Sequence, residues 1–373
     1  MSCLDIFGIE TSPYIKKREE LDKLKLKNEK PIVYKKMREM DDLLASGRPV
    51  PTITLNYDYL CNFQCEHCCS DLFMNKTGKA EKADLKRKLT PDDVKIIANQ
   101  THEVGGAQFV LSGGEPLTWK KFDEVIEAID PKKFYIAVDT NAWLLSKEKA
   151  LHLKKIGVDK CQISLDSFVE EEHDLFRKRK GSYKRVLEGV VNAKAAGMKV
   201  IIMTCLTKTR TYAKEFKDML DWAKKNDVGL YVTFAKPVGA WENHTEELCG
   251  YKEIEYVQSL SKEYDVFTRT TGGHGLKMGC IAVKRSLTVT RYGDVMPCPY
   301  IHTSLGNIFD TNLKDILDLG IKLKHFSFGE KRTCLAGNKD EYFVKEYMPK
   351  TWGTKDKGIM PLDKVFGPED YIS

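Results

Sequence analysis

From residue 52 onward the chain alternates between two patterns. Short runs rich in β-branched and aromatic residues have the length and composition of buried strands. They are TITLNYDY from Thr52, QFVLSG from Gln108, FYIAVDTN from Phe134, CQISLDS from Cys161, KVIIMTCLT from Lys199 and GLYVTFAKPVG from Gly229. Between most of them lie helical patterns such as TPDDVKIIANQTHEV and LTWKKFDEVIEAI. The first opens on Thr90 with acids in its first turn, a good helix start. Six such alternations predict an α/β fold with a parallel sheet and crossover helices. A right-handed wind of that many units curls towards a partial (β/α)6 barrel of TIM type. Polar residues collect where the runs end, at the edge where such sheets carry their sites.

The flanks differ. Residues 14–48 are rich in Lys, Glu and Leu and predict charged amphipathic helices. Acids interleaved with bases fit a solvated helix face better than a nucleic-acid arm. Beyond residue 245 the alternation stops. GCIAVKRSLTVTRYGDVMPCPY predicts a β-hairpin turning at Tyr292, Gly293 and Asp294, with a cysteine near each end. The division expected is an N-terminal helical segment (1–51), the partial barrel (52–245), a small cysteine-rich β-hairpin/helix extension (246–345) and a tail (346–373) that drapes over the surface.

Composition narrows the class. With 373 residues, 42% hydrophobic and 31% charged, the chain can bury a full core without disulfide staples. The net charge of +6, from 60 basic against 54 acidic residues, slightly favours anionic partners but is too small to predict nucleic-acid binding. The N-terminal stretch lacks the pattern of a secretory signal, and no apolar run approaches the roughly 20 residues of a membrane helix. A cytoplasmic protein without a membrane partner is expected. The 11 cysteines, an odd number, fit reduced thiols or metal ligands better than a disulfide framework.

The cysteines carry the chemistry. CNFQCEHCC places Cys61, Cys65 and Cys68 at C-x3-C-x2-C spacing just past the first strand. Thiolates are soft donors that select iron–sulfur clusters, zinc or Cu(I). A [4Fe–4S] cluster is usually held by four cysteines, so three leave one iron without a protein ligand. An open position marks a metal site that does chemistry. A structural zinc knot on Cys61, Cys65, Cys68 and Cys69 is the alternative. Adjacent cysteines seldom both face one metal, and zinc sites more often use paired C-x2-C units.

CNFQCEHC at the end of a first barrel strand resembles the signature of the radical S-adenosylmethionine (radical SAM) superfamily. The resemblance implies that Cys61, Cys65 and Cys68 hold a [4Fe–4S] cluster whose open iron binds SAM. Reduction, by a donor of flavodoxin or ferredoxin type, splits SAM into methionine and a 5′-deoxyadenosyl radical. LSGGEPL, at the end of the second strand, resembles the family's Gly-Gly-Glu motif; Gly113, Gly114 and Glu115 would meet the SAM amino group. Thr140 and Asn141 in DTNAWLL stand where relatives contact the ribose or amine, with Ala142 where a glycine is common. Ser164 and Asp166 in ISLDS take a usual ribose position. HDLFRKRKGSY resembles the family's His-Asp-x-x-Arg stretch, so Arg177 would pair with the SAM carboxylate. His67 stands where relatives put an aromatic side chain near the adenine.

The segment from Gly279 through LGNI, Leu305 to Ile308, resembles the auxiliary-cluster extension called SPASM, or its shorter form, twitch. A full module has cysteines for two clusters. Here only Cys280, Cys298 and Cys334 lie beyond residue 279, which implies one auxiliary [4Fe–4S] cluster. A lone hairpin is marginal in water, and a cluster across its base would tie it down. The alternative is a small zinc or metal-free module. The fourth position is open to Cys249, to the substrate, or to neither. Cys249 is also a candidate hydrogen-atom donor, as in some radical SAM epimerases, or an inert thiol. Cys3, Cys69, Cys161 and Cys205 are expected to have no cluster role.

Relatives with this module act on peptides, sulfatase side chains and small metabolites. Peptide-modifying members often carry a larger N-terminal leader-binding domain than the helical segment seen here. The leading expectation is therefore an oxidoreductase or epimerase-type enzyme acting on a small polar metabolite, sugar-like or amino-sugar. The alternatives are modification of a ribosomal peptide or protein side chain, and a non-catalytic zinc-stapled binding protein. Lys236, Trp241, Glu242 and His244 are candidate contacts at the cavity mouth.

Overall fold

The structure, a computed structural model, describes residues 13–74, 86–268, 279–328, 333–353 and 359–372. Cys3 lies outside them. Two helices, α1 (Pro13–Glu29) and α2 (Pro31–Ala45), precede the sheet. The six β-rich runs form β1 (Thr52–Leu55), β2 (Gln108–Leu111), β3 (Tyr135–Thr140), β4 (Lys160–Ser164), β5 (Lys199–Leu206) and β6 (Gly229–Phe234). They lie side by side in chain order, each parallel to the next.

The connections carry α3 (Pro91–Glu103), α4 (Phe122–Ile129), α5 (Lys147–Ile156), the pair α6 (Glu170–Arg177) and α7 (Ser182–Ala195), and α8 (Lys214–Lys225). Thr90 and Asp93 close a reciprocal capping box on α3, which satisfies two otherwise orphaned donors. Along the strands, Ile53, Phe109, Leu111, Ile136, Val138, Cys161, Ile163 and Ile202 are fully buried in the core. Their alternates, Thr54, Gln108, Asp139, Gln162, Ser164 and Thr233, line the opposite, concave side.

The sheet is wider than six strands. After α9 (Tyr251–Ser259), β7 (Val266–Thr268) adds parallel to β6. On the other edge, β8 (Ser286–Val289) pairs parallel with β1, and β9 (Val295–Met296) returns antiparallel from it, the predicted hairpin. The nine-stranded order is β7-β6-β5-β4-β3-β2-β1-β8-β9. The cysteine-rich extension thus begins as a continuation of the sheet, in one hydrophobic core with it. Beyond it come β10 (Thr303–Ser304), α10 (Leu313–Ile321), α11 (Tyr342–Glu346) and β11 (Met360–Pro361), which pairs parallel with β10.

Two flanks pack more than expected. The helices α1 and α2 cross the N-terminal ends of the barrel strands. Arg18 pairs with Asp265 ahead of β7 at 2.5 Å and with Asp227 ahead of β6 at 3.4 Å. Asp22 pairs with Lys199 at the start of β5. Lys30 pairs with Asp159 ahead of β4 at 2.7 Å, and Arg285 ahead of β8 reaches Asp41 at 3.3 Å. The interleaved charges therefore grip the rim of the barrel rather than only facing water. The tail does not merely drape. Phe366 and Val365 are buried, and Asp370 accepts from Tyr347 Oη at 2.6 Å beside His325. A cluster of Phe343, Tyr347 and Phe366 rings supplies the apolar surface that holds it. Among the described residues no helix is long and apolar enough to cross a membrane.

Candidate active site

The strands surround a cavity of about 300 Å³, and the loop after β1 folds over its C-terminal end. That loop brings Cys61, Cys65 and Cys68 to the cavity wall. It is fixed from three sides. Gly114 N donates to Asp58 O at 3.1 Å and Glu115 N to Leu60 O at 2.8 Å. Glu66 N donates to Phe176 O at 3.0 Å, and Ala240 N to Cys68 O at 3.0 Å. A Cβ on Gly113 would stand 2.6 Å from Asp58 O, and one on Gly114 2.1 Å from Leu60 O. The two glycines thus let the cysteine loop lie directly on the end of β2.

The thiols are crowded. Burial pushes the Cys61 thiol up to about 12, and burial together with Cys69, Cys65 and Cys61 pushes Cys68 well above its ordinary value. Soft donors that mutually oppose ionisation fit a cationic cluster, which would relieve that opposition. Among the described residues no three His, Cys, Asp or Glu side chains close on a point as a single metal ion needs. Cys61, Cys65 and Cys68 all line the wall of the one cavity.

Glu115 is almost fully buried in the same wall. Its carboxyl accepts from Thr140 Oγ1 at 2.7 Å, Asn141 N at 2.8 Å and Leu117 N at 3.1 Å. Burial outweighs these bonds and raises its pKa to about 7. Asn141 Nδ2 also donates to Asn62 Oδ1 at 2.8 Å, tying β3 to the cysteine loop. Ala142 takes the left-handed φ of +59° that explains why glycine suits this place.

Ser164 and Arg177 line the cavity. Asp166 does not, which changes its expected part. Its carboxylate accepts from Arg177 Nε at 2.6 Å and from Cys205 N at 2.9 Å, and its carbonyl accepts from Arg210. Asp166 is thus used up in aiming Arg177, whose Nη1 stands 3.8 Å from Cys65 Sγ. Burial alone would raise the Asp166 carboxyl; the Arg177 guanidinium and its cationic neighbours hold it well below the usual carboxylate range. His67 stacks on Phe176 at 4.4 Å with Trp241 beside it. Burial lowers its pKa to about 3, so the ring is neutral, and its Nδ1 is buried without a hydrogen bond. Thr204, which sequence reasoning passed over, also lines the cavity with a buried, unpartnered Oγ1. Its signal was its place one strand from Ser164, near the end of β5.

Cys280, Cys298 and Cys334 come together around a second, smaller and largely apolar cavity with Ala282, Ile301 and Ala336. Burial and the neighbouring Cys334 raise the Cys280 thiol. Ile281 and Tyr300 line both cavities and form the wall between them. Cys249 joins neither. Its Sγ is buried and faces Thr211 Oγ1 at 3.6 Å and Leu206 O at 3.8 Å beneath the strand ends. Cys161 packs against Met198 as expected, whereas Cys69 and Cys205 reach the first cavity wall. Lys236 and Trp241 line that cavity. Glu242 instead accepts from Gly353 N of the tail at 3.1 Å, and His244 is exposed.

Residues 56–223 match the family described as the radical SAM superfamily, and residues 280–336 match SPASM, an iron–sulfur cluster-binding domain. Among curated proteins, the chain is 22% identical over 310 residues to the AdoMet-dependent heme synthase of Nitratidesulfovibrio vulgaris, covering 74% of this chain and 81% of the relative. It is 27% identical over 224 residues to the GTP 3′,8-cyclase of Helicobacter pylori, covering 59% and 65%. Among solved structures, Streptococcus suis SuiB bound to precursor peptide SuiA aligns with a TM-score of 0.57 at 16% identity, over 76% of this chain and 67% of that one. Native anSMEcpe with bound AdoMet aligns at 0.55 and 18% identity, over 80% and 95%. At these identities the structural likeness establishes the shared fold.

Proposed function

Because this chain belongs to the radical SAM superfamily and carries an SPASM extension, we propose that it is an oxidoreductase or epimerase-type enzyme that abstracts a hydrogen atom from a small polar metabolite. When bound, the cluster and SAM supply the reducing electron and the 5′-deoxyadenosyl radical that the family uses. The observation that carries the reading is the convergence of three thiols, a buried carboxylate and an aimed guanidinium on one cavity.

The chain's own residues divide the work as follows. Cys61, Cys65 and Cys68 hold the [4Fe–4S] cluster. Glu115, fixed by Thr140 and Asn141, receives the SAM ammonium as its carboxylate. Arg177, aimed by Asp166, receives the SAM carboxylate through its planar fork. Ser164 and Thr204 offer hydroxyls to the ribose. His67, flattened on Phe176, flanks the adenine as a neutral ring. Cys280, Cys298 and Cys334 hold the auxiliary cluster, with Tyr300 and Ile281 between it and the substrate space.

The wall beyond the cysteine loop carries Thr54, Gln108, Asp139, Gln162 and Thr233, a polar lining that suits a polar substrate. Anaerobic reconstitution tests the assignment. The expected result is a brown protein with about eight irons per chain that forms 5′-deoxyadenosine from SAM and a reductant of flavodoxin or ferredoxin type. A colourless protein with stoichiometric zinc and no SAM cleavage would overturn it in favour of a binding module. Turnover of a peptide, with no metabolite turned over, would replace the substrate class.

A further inference from the structure

The N-terminal end of the cavity is cationic, and nothing in the SAM site uses it. Lys160 opens β4 and lines the cavity together with Thr52 of β1, Gln108 of β2, Arg285 and Ser286. Thr52 and Ser286 are register partners across β1 and β8, and Phe109, next to Gln108, partners Ile53. All five side chains therefore come from the same end of four strands, the end away from the cysteine loop. Ser164 lies four residues further along β4, roughly 13 Å at the strand rise per residue. The floor and the SAM site are thus one small molecule's length apart.

The surrounding charges are already committed, except one. Lys30 is paired with Asp159, Lys199 with Asp22, and Arg285 with Asp41. Asp139, above the floor, accepts from Gln162 Nε2. The Lys160 ammonium has no hydrogen bond or ion pair among the described residues; it stands 5.9 Å from the Tyr135 ring, and the Asp139 and Asp159 carboxylates act on it only through space. Burial, and then Lys199, lower its pKa to about 8. An unpaired ammonium kept from bulk water and open to a cavity is costly unless an anion arrives.

We propose that this floor is an anion seat: a carboxylate or phosphate of the substrate docks on Lys160, with Thr52, Gln108 and Ser286 as hydrogen-bond partners and Arg285 adding charge. The substrate is then an anionic small molecule that enters tail first and leaves its reactive end towards the cysteine loop. This rests on the small-metabolite reading above and narrows it.

The test uses the reconstituted holoenzyme and two probes, inorganic phosphate and succinate, followed by calorimetry. Both probes compete for one seat, and binding to Lys160→Met is at least tenfold weaker, the loss of one charge-assisted contact. Lys160→Arg, which keeps the charge, retains binding within about threefold and controls for folding. Tighter phosphate than succinate assigns a phosphorylated substrate, and the reverse a carboxylate. Equal binding of both probes to wild type and Lys160→Met, or no saturation by either in wild type, overturns the seat. SAM cleavage by the wild-type enzyme is scored separately: its presence alongside failed anion binding sinks only the seat, and its absence sinks the parent reading.

Discussion

Replacing Asp166 by Asn tests the view that this residue aims Arg177 rather than touching SAM. The side chain is fully buried, and the guanidinium it holds is only 11% exposed. Asn has one oxygen for two donors: set on Cys205 N it turns its NH2 at Arg177 Nε, and set on Arg177 it turns its NH2 at Cys205 N. The guanidinium is left buried, with Cys65 Sγ at 3.8 Å as its remaining side-chain contact. Breaking a buried pair by removing one partner costs about 3 kcal/mol or more. At an unfolding entropy of roughly 0.8 kcal/mol per kelvin for a chain this long, the melting temperature falls by about 4 °C. Arg177→Met in the Asp166→Asn background removes the stranded charge and restores part of the loss. The coupling in the double-mutant cycle should be about 2 kcal/mol. Because the Asp166 carboxyl is held below its ordinary value, its contribution is present above the unfolded pKa and is lost only as pH falls through the lower, folded one. The gap between wild type and variant is therefore flat from pH 5 to 8. Differential scanning calorimetry under anaerobic conditions measures all of this. Additive single and double variants, or an unchanged melting temperature with SAM affinity lost, would refute the reasoning and return Asp166 to the ligand.

Gly114→Ala sets a Cβ 2.1 Å from Leu60 O and 2.6 Å from the Leu60 and Tyr59 carbonyl carbons, all backbone atoms. The cysteine loop must move, and iron bound at the first site falls sharply while the second site keeps its iron. Cys280→Ser should remove about half of the iron and all product, while SAM cleavage survives; full product formation would make the second site dispensable. Burial raises Glu115 to about 7, so in the SAM-free protein its contribution to stability is present below the ordinary carboxylate pKa and fades as pH rises through 7. Relative to Glu115→Gln, wild type should thus lose stability between pH 5 and 8 while its SAM affinity rises; parallel pH profiles for the two proteins would contradict this.

Much of the barrel was legible because its signals are local. Each of the six β-rich runs carries its own composition and period, and Thr90 announces a helix start by capping chemistry. The three-cysteine loop and the Gly-Gly-Glu turn were legible as motifs because both are contiguous. What escaped depends on partners distant in sequence. The pairing of β8 with β1 joins residues more than 200 positions apart, and the run around Ser286 reads equally as an isolated hairpin. The grip of α1 and α2 on the strand ends is made by Arg18, Asp22 and Lys30, whose charges look solvated until Asp265, Lys199 and Asp159 are brought to them. Asp166 could be placed at a strand end, but its direction is set by Arg177 and Cys205 N, one a helix away and the other on the next strand. Lys160 left a trace that went unread. Lys160, Gln162 and Ser164 repeat polar side chains at the strand period, as an inward face bordering a cavity requires.

The central claim is that Cys61, Cys65 and Cys68 hold a cluster with one iron free for SAM. Mössbauer spectroscopy on iron-57 protein, reconstituted without oxygen and recorded before and after SAM is added, addresses it most directly. The account predicts that the signal of one iron in one cluster shifts with SAM, and that this response vanishes in Cys65→Ala but persists in Cys298→Ser. Spectra identical with and without SAM, with every iron of both clusters held by side chains, would contradict it.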